Sequence, residues 1–365
     1  MALYYVGLDY HLSTSTAVIL DARGNKVGER TVRGHWSKMV DWLKRQKLAM
    51  VICFEASCGY GALHEKLATF ARRLVVAHPA NLRLIFRSKR KNDRVDAAKL
   101  AMLVLMDQVP AVHVPQLDVR CWRRLIELRR SKIDHRVRIK NQIRALLRSH
   151  GILVPRTPGL WSQKGLAWLK ELAWPSAMAS MECQILLDEL AQAQANIDKV
   201  TRQLNQIAAA NPAVQLLMTI PGVGPRTAEA VAAYVDDAQR FGRIKRVGAY
   251  FGLVPCQDAS AGVNRLGHIT KQGPATARKL LVEAAWRCID RCPPMRAVFD
   301  RIVAGKTERR RIALVAIAHK LTRIMLAMLR SGEVWDASRH AVEDQQDQRD
   351  PPQQKMNKQA AGAAA

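Results

Sequence analysis

Acidic residues are scarce in this chain relative to basic ones. The 365 residues include 31 Asp and Glu against 58 Lys and Arg, which gives a formal net charge of +27. The resulting pI of about 10.4 lies far from that of an ordinary neutral protein surface. Such an excess of cations indicates a polyanionic partner, and nucleic acid is the first choice.

Long hydrophobic runs are also missing. No stretch approaches the roughly 18 uncharged apolar residues that a membrane span needs, and residues 1–10 lack the basic start and cleavage site of a signal peptide. We therefore expect a cytoplasmic protein without membrane contact.

Cysteines occur singly, without paired Cys-x-x-Cys elements or a matching pair of histidines. Cys288 and Cys292 stand four residues apart and supply at most half a zinc site, so buried reduced thiols are the better interpretation. No zinc is predicted. The seven cysteines are Cys53, Cys58, Cys121, Cys183, Cys256, Cys288 and Cys292.

What the chain has instead is four carboxylates in its first hundred residues. Asp9 and Glu55 each end an apolar run, where a buried strand delivers a side chain to a sheet edge. Asp93 and Asp96 are three residues apart, so a helix that starts at Asn92 carries both on one face. Four such oxygen donors suit Mg²⁺ or Mn²⁺ rather than Zn²⁺, and ions of this kind assist phosphoryl transfer.

A single carboxylate after a strand is most often a turn or helix cap, so the order of the elements matters more. A strand with Asp, a hairpin near residues 21–25, a helix, a strand with Glu and a late Asp pair on a helix form the arrangement of an RNase H-type nuclease. The predicted strands cover residues 4–8, 16–20, 26–32, 50–54 and 73–76, with helices at 36–46 and 61–71.

The length and a hydrophobic content of 48% allow several domains with real cores. We predict an α/β domain at 1–108, a helical region with a basic helix and an arm at 109–211, a mainly helical domain at 212–332, and a disordered tail at 333–365. Helices are expected at 276–290, 295–304 and 309–329.

Basic residues concentrate in two segments. Arg87, Lys89 and Arg90 immediately precede the Asp pair, where they are expected to hold phosphates beside the metal. Residues 118–150 predict one long helix with eleven cations and, after Asp118, only two acids, Glu127 and Asp134. A charge run is usually a solvated face, but this one lacks acidic partners, which favours a nucleic-acid face. The candidate contacts there are Arg123, Arg124, Arg129, Arg130, Arg136, Arg138 and Lys140.

Residues 179–210 have roughly heptad apolar spacing without Pro or Gly, which is typical of a coiled coil or a helical hairpin. Such an arm is more often a dimer contact than a catalytic element. Farther on, Gly222 and Gly224 stand in a turn before a helix, as in a helix-hairpin-helix, where backbone N–H groups meet a phosphate. A purely structural hairpin is an equally good interpretation of that turn.

Together these motifs resemble the DEDD transposases of bacterial insertion sequences of the IS110 and IS1111 group. The likeness rests on the four carboxylates, on residues 220–224 and 252–255, on Ser260, and on a Gly-x-Ile-x-Lys-x-Gly segment that contains Lys271. It implies a RuvC-like RNase H fold in the N-terminal domain. It also implies a C-terminal domain in which Ser260 is the nucleophile.

This chain departs from the family pattern after the serine. Ser260 is followed by Ala261 and then Gly262, whereas family members have glycine directly after the serine. If the turn requires a positive φ there, Ala261 carries strain of about 1 kcal/mol or more.

The resemblance further implies recombination guided by a bridge RNA that pairs with donor and target DNA. It implies a homo-oligomer, dimer or tetramer, in the bacterial cytoplasm at the nucleoid. Two other interpretations stay open: a metal-dependent Holliday-junction-type nuclease that uses water, and a non-catalytic nucleic-acid-binding protein whose carboxylates are only caps.

Overall fold

A five-stranded mixed sheet forms from the apolar runs near the N-terminus. Its order is β3-β2-β1-β4-β5, with β1 antiparallel to β2 and parallel to β4. Asp21 closes the turn between β2 and β3, since its carboxylate accepts hydrogen bonds from the backbone N–H groups of Arg23 and Asn25. The predicted strands and hairpin are confirmed to within two residues at each end. The strands are β1 (Leu3–Tyr10), β2 (Thr14–Leu20), β3 (Lys26–Arg33), β4 (Ala49–Glu55) and β5 (Arg73–Ala77).

Helices cover both faces of this sheet. Successive side chains of a strand point to opposite faces, and Val6 and Leu8 of β1 face a core closed by the first two helices, whereas the opposite face packs on the fourth. The result is a three-layer α/β/α arrangement, and the predicted α/β class of this domain is confirmed. The helices are α1 (Ser37–Arg45), α2 (Tyr60–Ala68), α3 (Pro79–Ile85) and α4 (Asp93–Leu105).

The computed structural model describes residues 2–57, 59–85, 92–155, 157, 159–260 and 263–338. The chain divides into two compact units, Met1–Leu117 and Asp118–Ala365. The sheet and its helices form the first unit. The basic helix, the arm and the C-terminal helices belong to the second, and most of the predicted tail lies outside the described residues.

The second unit is mainly helical, with one two-stranded hairpin. The predicted helices are confirmed, whereas the short helix α6 and the β6–β7 hairpin were not predicted. The elements are α5 (Leu117–Ser149), α6 (Gln163–Glu171), α7 (Ala177–Ala210), α8 (Pro212–Met218), α9 (Pro225–Val235), α10 (Arg246–Tyr250), β6 (Pro255–Ser260), β7 (Val263–Ile269), α11 (Ala275–Arg291), α12 (Pro293–Val303) and α13 (Arg310–Ser331).

The two longest helices, α5 and α7, form an antiparallel hairpin. Arg129 of α5 bonds to Thr201 of α7, and farther along α5 Arg136 bonds to Gln194, which comes earlier in α7. Leu187 and other apolar residues of α7 pack against α5. Much of the heptad stripe is therefore covered within the chain, as in the helical-hairpin alternative.

The helix α13 lies in the C-terminal core, where Ile317 and Leu321 are fully buried. The segment Thr307–Ser331 is long and apolar enough to cross a membrane by length and composition, but 56% of its apolar window is buried inside the protein. The core helices of folded domains share both properties, so this is weak evidence for a membrane span.

Gly7 is the point where α4 comes closest to the sheet, because a side chain there would overlap the backbone of Ala97 and Ala101. We expect Gly7→Ala to destabilise the first unit by about 1–3 kcal/mol, the usual cost of overpacking. Gly28→Ala in β3 is the matched control, since its new methyl group would meet only side-chain atoms of Ile19 at 3.4 Å or more. Denaturant unfolding measures both. Equal stability of the two variants would contradict this account of the α4 contact.

Candidate metal centre and nucleic-acid interface

Asp9 and Glu55 lie side by side at the ends of neighbouring parallel strands. In the register of β1 and β4, Leu8 pairs with Phe54, and the two carboxylates are the next residue of each strand. Alternation places both on the face that packs against α4. Parallel strands end at the same sheet edge, which explains why two positions 46 residues apart in sequence meet here.

The other two carboxylates come from the first turn of α4. Asn92 caps this helix, its side chain accepting a hydrogen bond from the backbone N–H of Arg94, as the sequence predicts. Asp93 and Asp96 are then both in the first turn. Because Gly7 admits the backbone of α4, this turn lies against the end of β1.

The charges of the other three carboxylates all act on Asp9. Burial is the largest cause that raises the pKa of Asp9; His11 opposes it, and the charges of Asp93, Asp96 and Glu55 each raise the pKa further. All three other carboxylates are therefore close enough to repel Asp9. Repulsion of this kind is relieved by a bound divalent cation.

His11 is a member of the site that the sequence prediction missed. Its Nε2 lies 3.4 Å from Oδ1 of Asp9, and ligand atoms of Asp9, His11 and Asp93 all lie within 4.8 Å of one another. Its position in the sequence could have revealed it. Side chains two residues apart in an extended chain point to the same face, and His11 follows Asp9 by two residues. Asp96 is engaged differently, since its Oδ1 lies 3.3 Å from Nζ of Lys99.

The donor set fits a divalent cation. Carboxylate oxygens suit Mg²⁺ and Mn²⁺, and an imidazole nitrogen is a better ligand for Mn²⁺ and later transition metals than for Mg²⁺. Asp9, Glu55, Asp93 and Asp96, with His11 beside them, are the residues that would hold it.

Ser260 belongs to the other unit. It is the last residue of β6, and its register partner is Val263 of β7, so it lies at the tip of the hairpin. Residues 261–262, which include the Ala261 of the unusual serine turn, fall outside the described part of the chain.

Two glycine-containing segments of the sequence form the base of that hairpin. A side chain at Gly252 would overlap the backbone of Gln272, and one at Gly273 would overlap the backbone of Tyr250. Lys271 donates its backbone N–H to the carbonyl of Gly252. The two segments therefore pack on each other and fix where the hairpin begins.

The turn between α8 and α9 uses its two glycines differently. Gly222 has φ +94, and a side chain there would overlap the backbone of Arg287 and Cys288 in α11. Its close approach is therefore to the protein itself. Gly224, the exposed N-cap of α9, has nothing within 4 Å of an added side chain and is the glycine that leaves room for a ligand.

Several arginines of the basic helix α5 are used inside the protein. Arg123 donates to the carbonyls of Ala233 and Tyr234 at the end of α9. Arg129 and Arg136 bond to α7, and Arg130 pairs with Asp134 at 2.6 Å.

Other cations of this helix face solvent. Arg124 and Arg138 are exposed, and Lys140 lies 4.8 Å from the ring centre of Trp161. The number of basic residues in the sequence therefore overestimates the predicted nucleic-acid interface, because contacts within the protein engage about half of the predicted residues. Arg87, Lys89 and Arg90 lie outside the described residues.

Comparison with known proteins identifies the family. A model of the Transposase IS116/IS110/IS902 family matches residues 214–300, and a DEDD transposase model of the IS110 type matches residues 6–152. The chain is 30% identical over 251 residues to the transposase for insertion sequence element IS1111A of Coxiella burnetii, covering 67% of this chain and 68% of that protein.

Two further relatives agree. The transposase for insertion sequence element IS1328 of Yersinia enterocolitica is 27% identical over 78% of this chain and 85% of its own length. A probable family 20 transposase of Pseudomonas aeruginosa is 28% identical over 66% of this chain and 72% of its own.

The fold and the acidic site define an enzyme of the DEDD transposase class, whose DEDD domain implies use of a divalent metal. The chain belongs to the IS110/IS116/IS902 family of insertion-sequence transposases, which act on DNA. Its mixed α/β first unit is consistent with a RuvC-like domain.

The raised pKa of Asp9 gives a stability prediction. The folded state binds this proton more tightly than the unfolded chain, so the favourable contribution is complete at low pH and is lost as pH rises through the folded-state pKa. In EDTA at pH 7 we expect Asp9→Asn to unfold at a higher temperature than wild type. Excess Mg²⁺ or Mn²⁺ should raise the midpoint of wild type and not of the variant.

Asp41→Asn, at an exposed position of α1, is the control. Its unfolding midpoint should equal that of wild type both in EDTA and in excess metal. An equal metal-induced rise in the Asp9→Asn variant would show that Asp9 does not hold the ion.

Proposed function

We propose that this transposase cuts and rejoins DNA strands through a covalent link to Ser260, assisted by Mg²⁺ or Mn²⁺ and guided by a bridge RNA. The observation that carries the proposal is that Asp9 and Glu55 at one sheet edge lie near Asp93 and Asp96 in the first turn of α4. The chain also has a serine at a hairpin tip.

The proposed reaction is a transfer of one phosphodiester bond. Oγ of Ser260 attacks a DNA phosphate and loses its proton, and the bond from phosphorus to the departing deoxyribose oxygen breaks to leave a hydroxyl end. A hydroxyl end from the other duplex then attacks the phosphoserine and releases the serine. The number of phosphodiester bonds is unchanged, so no external energy source is required.

The acidic cluster supplies the electrostatic part. Asp9, Glu55, Asp93 and Asp96 would hold a divalent ion, which when bound stabilises negative charge on a phosphate and on its leaving oxygen. Without such an ion, four carboxylates would repel a phosphodiester. His11, 3.4 Å from Asp9, is suitably located to orient that carboxylate.

The net charge supports partners with many phosphates. A formal charge of +27 suits a protein that holds donor DNA, target DNA and a guide RNA together, with binding that weakens steeply as salt rises. Base pairing would carry the sequence specificity, as in other RNA-guided systems. A DNA partner puts the proposed site of action at the bacterial nucleoid, in the cytoplasm.

Subunit pairing is proposed as well. The serine and the carboxylates are in different compact units, and sites of this kind can be completed between copies in a symmetric oligomer. Met178, Met181 and Ile185 of α7 are 76%, 62% and 51% exposed. Their spacing places them on one side of the helix, where they support contact with a second copy.

A metal-dependent junction nuclease with water as the nucleophile is the second candidate. It is favoured by the fact that all four carboxylates of the acidic site come from the first unit, whereas Ser260 belongs to the second. The formation or absence of a protein-bound DNA strand separates the two functions.

Ser260→Ala should therefore bind DNA and metal as wild type does, yet form no covalent adduct and exchange no strands. Denaturing gels of a reaction stopped early, followed by mapping of the DNA-linked peptide, measure this. Ser131→Ala, at an exposed serine of α5, is the control and should form the adduct normally. Strand exchange by Ser260→Ala, or an adduct on another residue, would refute the serine mechanism.

The proposed guide RNA is tested by substituting the arginines that face solvent. Purified protein should carry a discrete RNA, and Arg124→Gln with Arg138→Gln should weaken its binding and lower the log–log salt slope by about 0.7 to 0.9 per lost phosphate contact. Arg123→Gln is the matched control: its guanidinium binds the end of α9, so its loss should lower stability and leave the salt slope unchanged. Recombination at the wild-type rate by an RNA-free preparation would refute the guide.

A further inference from the structure

A cavity of about 570 Å³ lies between α5, α6 and α7. Its size falls within the range of about 300–1,000 Å³ found for small-molecule sites. Arg136, Lys140 and Lys170 line it with positive charge, and Leu187 and Leu190 give it an apolar wall. None of these residues belongs to the acidic site, and Ser260 is not among the residues that line the cavity.

The cations of this cavity are crowded. The pKa of Lys140 is lowered first by burial and then by repulsion from Arg136 and Arg144. Arg144 also lies with its guanidinium carbon 5.2 Å from the ring centre of Trp161, on which Lys140 packs as well. Three like charges held together repel one another and raise the free energy of the folded chain. An anion bound among them offsets this repulsion.

The acidic residues of the cavity do not neutralise these cations. Asp188 accepts a hydrogen bond from Gln184 at 3.1 Å and Asp198 accepts one from Gln194 at 2.9 Å, both within α7. Within the described ranges, neither forms an ion pair with Lys140 or Lys170. The two carboxylates are thus polar groups of the α7 wall, available as acceptors for a bound molecule.

Two N–H donors of the cavity are also unused. Nε of Arg136 and Nε1 of Trp161 are buried and have no acceptor among the residues that the structure describes. Buried donors without partners are uncommon in native proteins, and each calls for an explanation such as a bound water, an ion or a catalytic role. Here both belong to residues that line the same cavity.

We propose that this cavity takes one unpaired nucleotide. Its phosphate would lie among Lys140, Lys170 and Arg136, and its base against the apolar wall and Trp161. A phosphate alone would leave the leucines without a partner, and a paired base cannot enter because it is stacked within a duplex. The choice of nucleic acid as partner rests on the proposed function, and the nucleotide is supplied either by an RNA loop or by a single DNA strand.

A substitution that fills the cavity tests the proposal and leaves the charge of the cavity unchanged. The probes are a labelled 12-nucleotide adenylate RNA, the same strand as DNA, and a paired 12-base-pair RNA duplex, each titrated by fluorescence anisotropy. Ala195 lines the cavity and Gln192 does not, although both are on α7. We expect Ala195→Trp to weaken binding of a single strand by about tenfold or more, with the duplex unchanged, and Gln192→Trp to bind all three probes normally.

The strand that loses affinity, RNA, DNA or both, identifies the source of the nucleotide. Unchanged single-strand binding by Ala195→Trp, or an equal loss with the duplex, would overturn the proposal.

A charge pair tests the phosphate end and decides the matter if the filled variant does not fold. Lys170 lines the cavity, whereas Lys164 of the same helix α6 does not. Lys170→Gln should weaken single-strand binding and lower its salt slope by about 0.7, and Lys164→Gln should leave both unchanged. Identical behaviour of the two variants would contradict the site. Purified protein that carries no RNA but binds single strands through this cavity would refute the guide and leave this inference standing.

Discussion

The acidic site depends on how closely α4 approaches β1. A helix can lie this near a strand only where no side chain intervenes, and Gly7 provides that gap opposite Ala97 and Ala101. The contact brings the first turn of α4, with Asp93 and Asp96, to the strand end that carries Asp9. Packing thus holds together charges that repel, and burial first and then this repulsion raise the pKa of Asp9. A divalent cation bound among these carboxylates would relieve their repulsion, which strengthens its binding. The stability of the first unit is therefore linked to metal binding.

In the second unit, arginine serves two purposes that its count in the sequence does not separate. Arg123 caps the last carbonyls of α9, and Arg129 and Arg136 join α5 to α7, so these cations hold the helical hairpin and the C-terminal core together. Arg124 and Arg138 on the same helix face solvent. The long basic helix therefore joins parts of the second unit through some of its arginines and leaves others exposed on its surface. Which arginine does which follows from the helix face it occupies.

The hairpin that carries Ser260 is defined at its base. Gly252 and Gly273 come from segments about twenty residues apart in sequence, and each would overlap the other segment's backbone if it had a side chain. Their mutual packing fixes the first residues of β6 and the last of β7, and residues 255–259 and 265–268 of the two strands are exposed. The nucleophile proposed at Ser260 would thus follow an exposed strand, which suits a reaction on a bulky DNA duplex.

The sequence by itself determined most of the elements and indicated the metal chemistry of the acidic site. Apolar and β-rich runs located all five strands of the sheet, the Asn92 cap located the start of α4, and four carboxylates in that order indicated a metal site. These are local signals, set by side-chain period and capping. The tertiary structure alone decided that His11 joins the cluster, that Gly222 packs on α11, that half of the basic helix is bound internally, and that a cavity opens beside Trp161. Each of these depends on which residues distant in sequence become neighbours, and a neighbour's identity is a property of packing that no periodicity along one chain segment contains.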